Sequence, residues 1–355
     1  MSKKRKERKI KCVVWDLDNT IWNGTLLEDE NVELRDGIVD IIKKLDERGI
    51  LQSISSKNEH NMAISKLKDL GLDEYFLYPQ INWNSKSSSI NQIVKAINIG
   101  VDTIAFIDDQ MFEREEVSSE LPEVLTIDAN DIDRLLDMPE MNPLFITSDS
   151  KNRRQMYMND AKRKEVEQEF EGPKEEFLAS LEMEVTIKPV EQDDLKRAEE
   201  LTVRTNQLNT TGYTYSYDEL DELRYSDDHL LLIVDLNDKY GTYGKIGLIL
   251  IECHEDEWHI KLLLMSCRVM SRGIGSILIG HIQQLAKKNG VKLKAEFTET
   301  DRNRMMYITY KFANFQEVDR DGNHVLLEAD LSTIQSYPEY VKMNIHEYNY
   351  AQNKN

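Results

Sequence analysis

The sequence predicts an α/β protein of two domains: a parallel sheet covered by helices, without a large cap, followed by a mixed α/β domain. Three observations predict it. The chain has 355 residues, more than one ordinary hydrophobic core holds. Its first third alternates short, β-branched apolar runs with helical spacings, the signature of parallel strands joined by helices. A charged, helix-favouring stretch then leads into a second pattern, rich in strands.

The elements follow in order. Residues 10–15 are an apolar run and predict a strand. Residues 37–48 carry Ile38, Ile41, Ile42 and Leu45 at the spacing of an amphipathic helix. Residues 50–55 read as a strand, 62–70 as a helix stopped by Gly71, and 87–97 as a further helix. Strands at 103–107 and 124–127 complete the first set. Residues 137–147 are a loop with Pro139 and Pro143. The second domain opens near Glu184 with a helix over 193–206. Strands follow at 230–235, 245–252 and 258–269, then a helix at 274–288. A strand at 292–297, a short helix over 302–312 and a strand at 325–329 close the set. The expected division is a first domain over 1–147, a helical connector over 148–183 broken at Gly172-Pro173, a second domain over 184–335, and a polar, loosely held tail over 336–355.

Charge and composition narrow the function classes. Lys and Arg number 45 against 65 Asp and Glu, a net charge of −20, which argues against a general nucleic-acid binder. A basic tip of Lys3, Lys4, Arg5, Lys6, Arg8, Lys9 and Lys11 cuts across this average; it reads as a solvated terminus or as a targeting arm. No apolar run approaches the roughly 20 residues of a membrane span, and no secretory pattern follows the tip. Cys12, Cys253 and Cys267 form neither a disulfide framework nor zinc-ligand spacing, so a reducing, cytoplasmic setting is expected.

Four carboxylates stand at strand ends. Asp16 and Asp18 directly follow the first strand, and Asp108 and Asp109 follow the strand over 103–107. Ser56 follows the strand over 50–55, and Lys86 opens a helix. Parallel sheets hold ligands at the carboxyl ends of their strands, so these side chains are expected to meet. The set suits phosphoryl transfer. An aspartate can form an aspartyl-phosphate, a second can move the proton, a hydroxyl and a lysine can hold phosphoryl oxygens, and clustered carboxylates bind magnesium. Unrelated aspartates capping helices are the bland alternative. Trp22 reads either as a lid or as a packed aromatic.

In the second domain, Ser271-Arg272-Gly273-Ile274-Gly275 joins a strand to a helix. Gly273 and Gly275 there either cradle a phosphate at the helix N-terminus or serve the turn alone. Cys267 lies just before this loop, with Arg268 and Arg272 near enough in sequence to favour a thiolate; buried, inert cysteine is the alternative. His254 and His259 are candidate bases by sequence nearness only. The string Arg204, Thr205, Asn206, Gln207, Leu208, Asn209 is either a helix end with turn residues or a hydrogen-bonding wall for a polyol acyl group, with Arg204 as anion anchor.

These strings resemble known families. Asp16-x-Asp18-x-Thr20, Ser56, Lys86 and Asp108-Asp109 are similar to the four motifs of the haloacid dehalogenase (HAD) phosphatases. The resemblance implies Asp16 as nucleophile and Asp18 as general acid/base. It implies Ser56 and Lys86 as phosphate ligands, and magnesium on Asp16, Asp18 (through its carbonyl), Asp108 and Asp109. The loop with Gly273 and Gly275 resembles the acyl-CoA loop of the GNAT acetyltransferases. It departs from that pattern at Met270, where the family has Arg or Gln, which counts against a full CoA and for the single phosphodiester of a phosphopantetheine arm. With Trp22, Gly24, Ser56-Lys57-Asn58, Ile81-Asn82-Trp83, Phe112-Glu113-Arg114-Glu115, Arg204-Thr205-Asn206-Gln207 and Met265-Ser266-Cys267-Arg268-Val269, nearly the whole chain resembles the FkbH-like proteins. That resemblance implies a bifunctional glyceryl transferase and phosphatase, with 1,3-bisphosphoglycerate as donor and an acyl carrier protein as acceptor, in polyketide or related biosynthesis. Arg204, Asn206, Gln207, Asn209, Arg268, Arg272, Gly273 and Gly275 would then line the acyl and pantetheine site. Because such carriers are acidic, a local basic patch of Arg268, Arg272, Lys287 and Lys288 is expected to receive one.

Overall fold

The structure is a computed structural model, and it describes residues 10–29, 31–205 and 207–347. The basic tip before Lys11 and the candidate Asn206 lie outside the described residues. Two compact units divide the chain, one up to Met158 and one from Asn159.

The first unit runs β1 (Cys12–Trp15), β2 (Trp22–Asn23), β3 (Glu33–Leu34), α1 (Ile38–Glu47), β4 (Leu51–Ser56), α2 (His60–Asp69), β5 (Gln80–Ile81), α3 (Lys86–Ile97), β6 (Ile104–Asp108), α4 (Met111–Glu120), β7 (Leu125–Asp128) and α5 (Ser148–Lys151). Five strands form one sheet in the order β5-β4-β1-β6-β7, and each neighbouring pair is parallel. The period-2 alternation of β1 explains the layering. Val13 and Trp15 pack with Ile38, Ile42 and Leu67 of α1 and α2, while Cys12 and Val14 pack with Ile90, Ile93 and Val117 of α3 and α4. β1 is buried on both faces and apolar throughout, so the first polar residue, Asp16, marks where the chain leaves the sheet. Among the described residues, only the β2–β3 hairpin stands between β1 and α1, and only α2, a 3-10 turn and β5 between β4 and α3. Neither insertion is a folded cap. Helix α4 escapes the sequence reading because Glu113 and Val117 are its only buried residues, too few to draw an apolar stripe.

Helix α6 (Arg153–Glu169) contains the division between units. The second unit continues with α7 (Lys174–Ser180), β8 (Met183–Pro189), α8 (Leu195–Arg204), α9 (Tyr217–Tyr225), β9 (His229–Asp238), β10 (Gly241–Cys253), β11 (Glu257–Met265), α10 (Ile274–Asn289), β12 (Lys292–Thr298), α11 (Arg304–Phe312), β13 (Phe315–Asp321), β14 (His324–Ala329) and β15 (Val341–Ile345). The eight strands are ordered β13-β14-β12-β11-β10-β9-β8-β15. The β11–β12 and β8–β15 pairs are parallel and the others antiparallel. Both units are therefore α/β, as the sequence predicts.

Two expectations are corrected. The strand expected over 258–269 ends at Met265, and Cys267–Val269 is a single 3-10 turn. Ser266 N–H makes a last bond to the Ile246 carbonyl of β10, and the chain then turns, Val269 N–H bonding the Ser266 carbonyl. The tail is not loose throughout, since Val341–Ile345 pairs in parallel with Met183–Ile187. That partner lies far away in sequence, so local pattern gives no sign of it.

Between β11 and β12 the sheet opens. Their ladder covers only Glu257–Ile260 against Lys292–Ala295. Beyond it the chain's own Leu208, Asn209 and Thr210 enter the gap. Met265 N–H bonds the Leu208 carbonyl at 2.9 Å, Thr210 N–H the Leu263 carbonyl at 3.1 Å, and Thr298 N–H the Thr210 carbonyl at 2.9 Å.

Candidate functional site

The carboxyl edge of the first sheet gathers the expected side chains. Asp16 follows β1, the central strand, and its N–H bonds the Ile107 carbonyl of β6. Lys86, the first residue of α3, is buried and reaches back across the edge. Its Nζ is 2.5 Å from Asp16 Oδ1, 3.0 Å from Asp108 Oδ2 and 2.8 Å from the Ser55 carbonyl. The Ser85 hydroxyl caps α3 by accepting from Ser88 N–H, which fixes where that helix begins and so where Lys86 starts. Of the two adjacent serines it is Ser56 whose hydroxyl bonds Asp16.

Asp16, Asp108 and Asp109 each place a carboxylate oxygen within 4.8 Å of the others. Burial pushes Asp16 above the usual carboxylate range, and Lys86 and Ser56 pull it part of the way back. Asp108 is pushed up to about 6, first by burial and then by the Asp16 charge. Asp109 is raised by burial and then by Asp108. Burial also pulls Lys86 down, but Asp16 and Asp108 outweigh it and hold the ammonium charged. Three carboxylates face one lysine, and Asp109 Oδ1 is buried without a hydrogen-bond partner. An all-oxygen, net-negative cluster with an unsatisfied oxygen fits a hard divalent cation such as magnesium, held by Asp16, Asp108 and Asp109. The Asp18 carboxylate is not in this cluster.

Asp18 instead accepts from Trp22 Nε1 at 2.8 Å, Leu26 N–H at 3.1 Å and Asn58 Nδ2 at 3.0 Å. Trp22 is fully buried on the β2–β3 flap, so it is a packed aromatic rather than an exposed lid. Gly24 closes that turn at φ 97°, and a side chain there would meet Asp29 Oδ2 at 2.6 Å. Behind the cluster, α4 braces the site. Arg114 donates to the Asp108 carbonyl and to Asp128, Glu113 pairs with Lys57 at 2.7 Å, and Glu116 accepts from the Ser87 hydroxyl. Sequence reasoning gave no role to Asn58, Glu113 or Glu116. The string Ser56-Lys57-Asn58 marked the place of Asn58 but not its partner.

In the second unit the side chains expected at one site disperse. Cys267 is half-buried in the turn after β11, while burial raises the Cys12 thiol and keeps it inert. Arg272 is 2% exposed and pairs with Glu167 at 2.9 Å, under the Phe177 ring, so it does not offer the open charge expected beside Cys267 and in the pantetheine site. Arg268 donates to the Tyr243 carbonyl at 2.7 Å. Lys287 donates to the Leu331 carbonyl. Of the expected basic patch, Arg272 is thus buried and ion-paired, while Lys287 and Lys288 are exposed. Asn209 is 1% exposed, and its Oδ1 accepts from Thr211 and Gly212 N–H, so it builds the turn rather than a wall. Arg204 lies 4.0 Å from Glu200, and Gln207 is half-buried. Gly273 opens α10 at φ 75°. Gly275 packs against Met265 and Thr309, each 3.1 Å from where a Cβ would stand, which explains the glycine without a ligand. His259 pairs with Glu257 on β11, and His254 lies 3.5 Å from Glu252.

No protein-family model matches the chain, and no curated protein matches it. Among solved structures the chain is similar to the N-terminal part of a Bacteroides fragilis protein, which contains a phosphatase domain and was complexed with magnesium. The identity is 30%, over 36% of this chain and 39% of that one, with a TM-score of 0.32. It is also similar to the ribosomal-protein-S18-alanine N-acetyltransferase of Escherichia coli, at 16% identity over 43% of this chain and 97% of that one, TM-score 0.34. A third similar structure is an acetyltransferase of the GNAT family from Streptococcus pneumoniae, at 18% identity over 41% of this chain and 96% of that one, TM-score 0.31.

Proposed function

We propose that the chain is a bifunctional enzyme, a magnesium-dependent phosphatase in its first unit and an acyl (glyceryl) transferase in its second. The observation that carries the first half is the buried ammonium of Lys86 clamped between Asp16 and Asp108, with Asp109 beside them. A phosphomonoester entering from the carboxyl edge presents phosphorus to Asp16. Lys86 and Ser56 hold the phosphoryl oxygens as the Asp16 oxygen bonds phosphorus and the ester bond breaks. Asp18 supplies the proton to the leaving oxygen and later takes one from the attacking water. Magnesium, when bound, neutralises charge on the phosphoryl oxygens. Trp83, 67% exposed in the segment after β5, and Phe112, 72% exposed in the first turn of α4, support an uncapped site that admits a bulky substrate.

The finer reading follows the sequence resemblance. The Cys267 thiolate attacks the acyl phosphate of 1,3-bisphosphoglycerate, and the acyl carbon–oxygen bond breaks to release phosphate. Asp16 removes the 3-phosphate, and the thiol of an acyl carrier protein takes the glyceryl group. Half-exposure of Cys267 supports this reading. Intact mass after exposure to the donor tests it: wild type gains a glyceryl adduct and Cys267→Ala gains none. An alanine variant that still acquires and transfers glyceryl sinks the covalent route.

One observation favours a second reading. The gap between β11 and β12 is filled by Leu208–Thr210, and Arg268 and Arg272 are engaged internally. A second unit that only docks a carrier or positions a substrate for the phosphatase fits those facts. Donor labelling of Cys267 separates the two.

A further inference from the structure

All three hydrogen bonds described at the Asp18 carboxylate are ones it accepts. Two come from the flap, through the Trp22 indole and the Leu26 backbone, and one from Asn58 at the end of β4. Lys86 spends its donors on Asp16, Asp108 and the Ser55 carbonyl. The flap and the sheet edge therefore meet on one carboxylate. Neither side-chain donor is free to turn away. Trp22 is 0% exposed, so its ring has one setting in the core, and its N–H needs this acceptor. Asn58 is 1% exposed, and its Oδ1 already accepts from Glu59 N–H at 2.9 Å, which leaves its Nδ2 aimed at Asp18.

We infer that Trp22, Leu26 and Asn58 are the positioning residues of Asp18, a latch by which the flap sets where the proton-transferring carboxylate stands. This rests on the phosphatase reading of Asp16. In that reaction the Asp16–phosphorus bond forms as the phosphorus–oxygen ester bond breaks, and the leaving oxygen takes its proton from Asp18. In the second half a water gives its proton to Asp18, its oxygen bonds phosphorus, and Asp16 departs. Both transfers require the carboxylate at one place, and a solvated aspartate beside a turn would sample several rotamers. Three donors select one of them.

The test compares two esters. The nitrophenolate of p-nitrophenyl phosphate leaves without a proton, whereas an alkyl phosphate such as glycerol 3-phosphate needs one. Trp22→Phe keeps the ring and removes the donor. It should leave the first-turnover release of nitrophenolate within about twofold of wild type and slow alkyl ester cleavage about 10- to 100-fold. Asp18→Asn should show the same split, and adding Trp22→Phe to it should cost nothing more. Equal losses on both esters, no loss on either, or an additive loss in the Asp18→Asn background overturns the latch. If Trp22→Phe melts early, Asn58→Ala, which leaves the ring in place, reads the same split. A wild-type protein that cleaves neither ester removes the phosphatase reading and this inference together. Cleavage of both esters by variants and wild type alike removes the inference alone.

Discussion

Lys86 is the residue on which the first site turns, and its burial sets what a substitution does. Its ammonium stands between two carboxylates that burial alone would drive towards the neutral form. Removing it leaves Asp16 and Asp108 close together and uncompensated. Asp16→Asn removes the attacking oxygen while keeping the shape, so phosphate release should fall by at least about 10³-fold with little change in melting temperature. A phosphate-release assay with magnesium checks it, and chelation should abolish the same activity until magnesium is restored. His281 offers a separate prediction, on stability. It is 3% exposed on α10 and hydrogen-bonds Tyr337 at 2.7 Å. Burial pulls it from the usual 6.5 to about 4. The unfolded chain therefore binds a proton that the folded one refuses between those values. Stability rises with pH across that window and is lost as pH falls through it. The loss attributable to this ring at pH 5 is about 2 kcal/mol. His281→Phe should flatten the difference in urea stability between pH 7 and pH 5 by about that amount; an unchanged difference counts against it.

At the level of elements, α6 and the β9–β10 hairpin are joined by a buried ion pair. Arg163 donates from Nε and Nη2 to Asp238 at 2.7 and 2.8 Å and to the Gly241 carbonyl, with its guanidinium 3.8 Å over the Tyr243 ring. Both side chains of the pair are fully buried. Losing one partner strands the other charge, so Arg163→Met should cost about 3–5 kcal/mol in denaturant unfolding. Adding Asp238→Leu should return part of that loss. If the double variant is as unstable as the single, packing rather than the stranded charge sets the cost. The same pair shows what periodicity misses. Residues 148–183 read as a charged helical connector, yet Arg163 is 0% exposed within them. A charge run says nothing about which of its members will find a buried partner. Helix α4 and strand β15 were illegible for related reasons, the one lacking a stripe and the other pairing with residues far away in sequence.

Across the whole molecule, the two candidate sites belong to different compact units. Asp16→Asn should leave donor labelling of Cys267 intact, and Cys267→Ala should leave hydrolysis of a small phosphomonoester intact. Loss of both activities in either single variant would show one shared site. The first site was legible because a parallel sheet puts every strand's carboxyl end on one edge. Chain order and apolar runs alone therefore bring Asp16, Ser56 and Asp108 together, with Lys86 one helix start away. The second was not, because Arg268, Arg272 and Asn209 are polar residues near a loop, and nearness in sequence does not say where a hydrogen bond points. Local period and chain order thus determined the α/β class and the placing of the aspartates at strand ends. Only tertiary packing decided that Arg272 goes to Glu167, that Thr210 fills the gap between β11 and β12, and that Trp22 holds Asp18. Each of those choices pairs groups distant along the chain or turned inward by packing, and a buried polar group takes whichever partner the fold delivers.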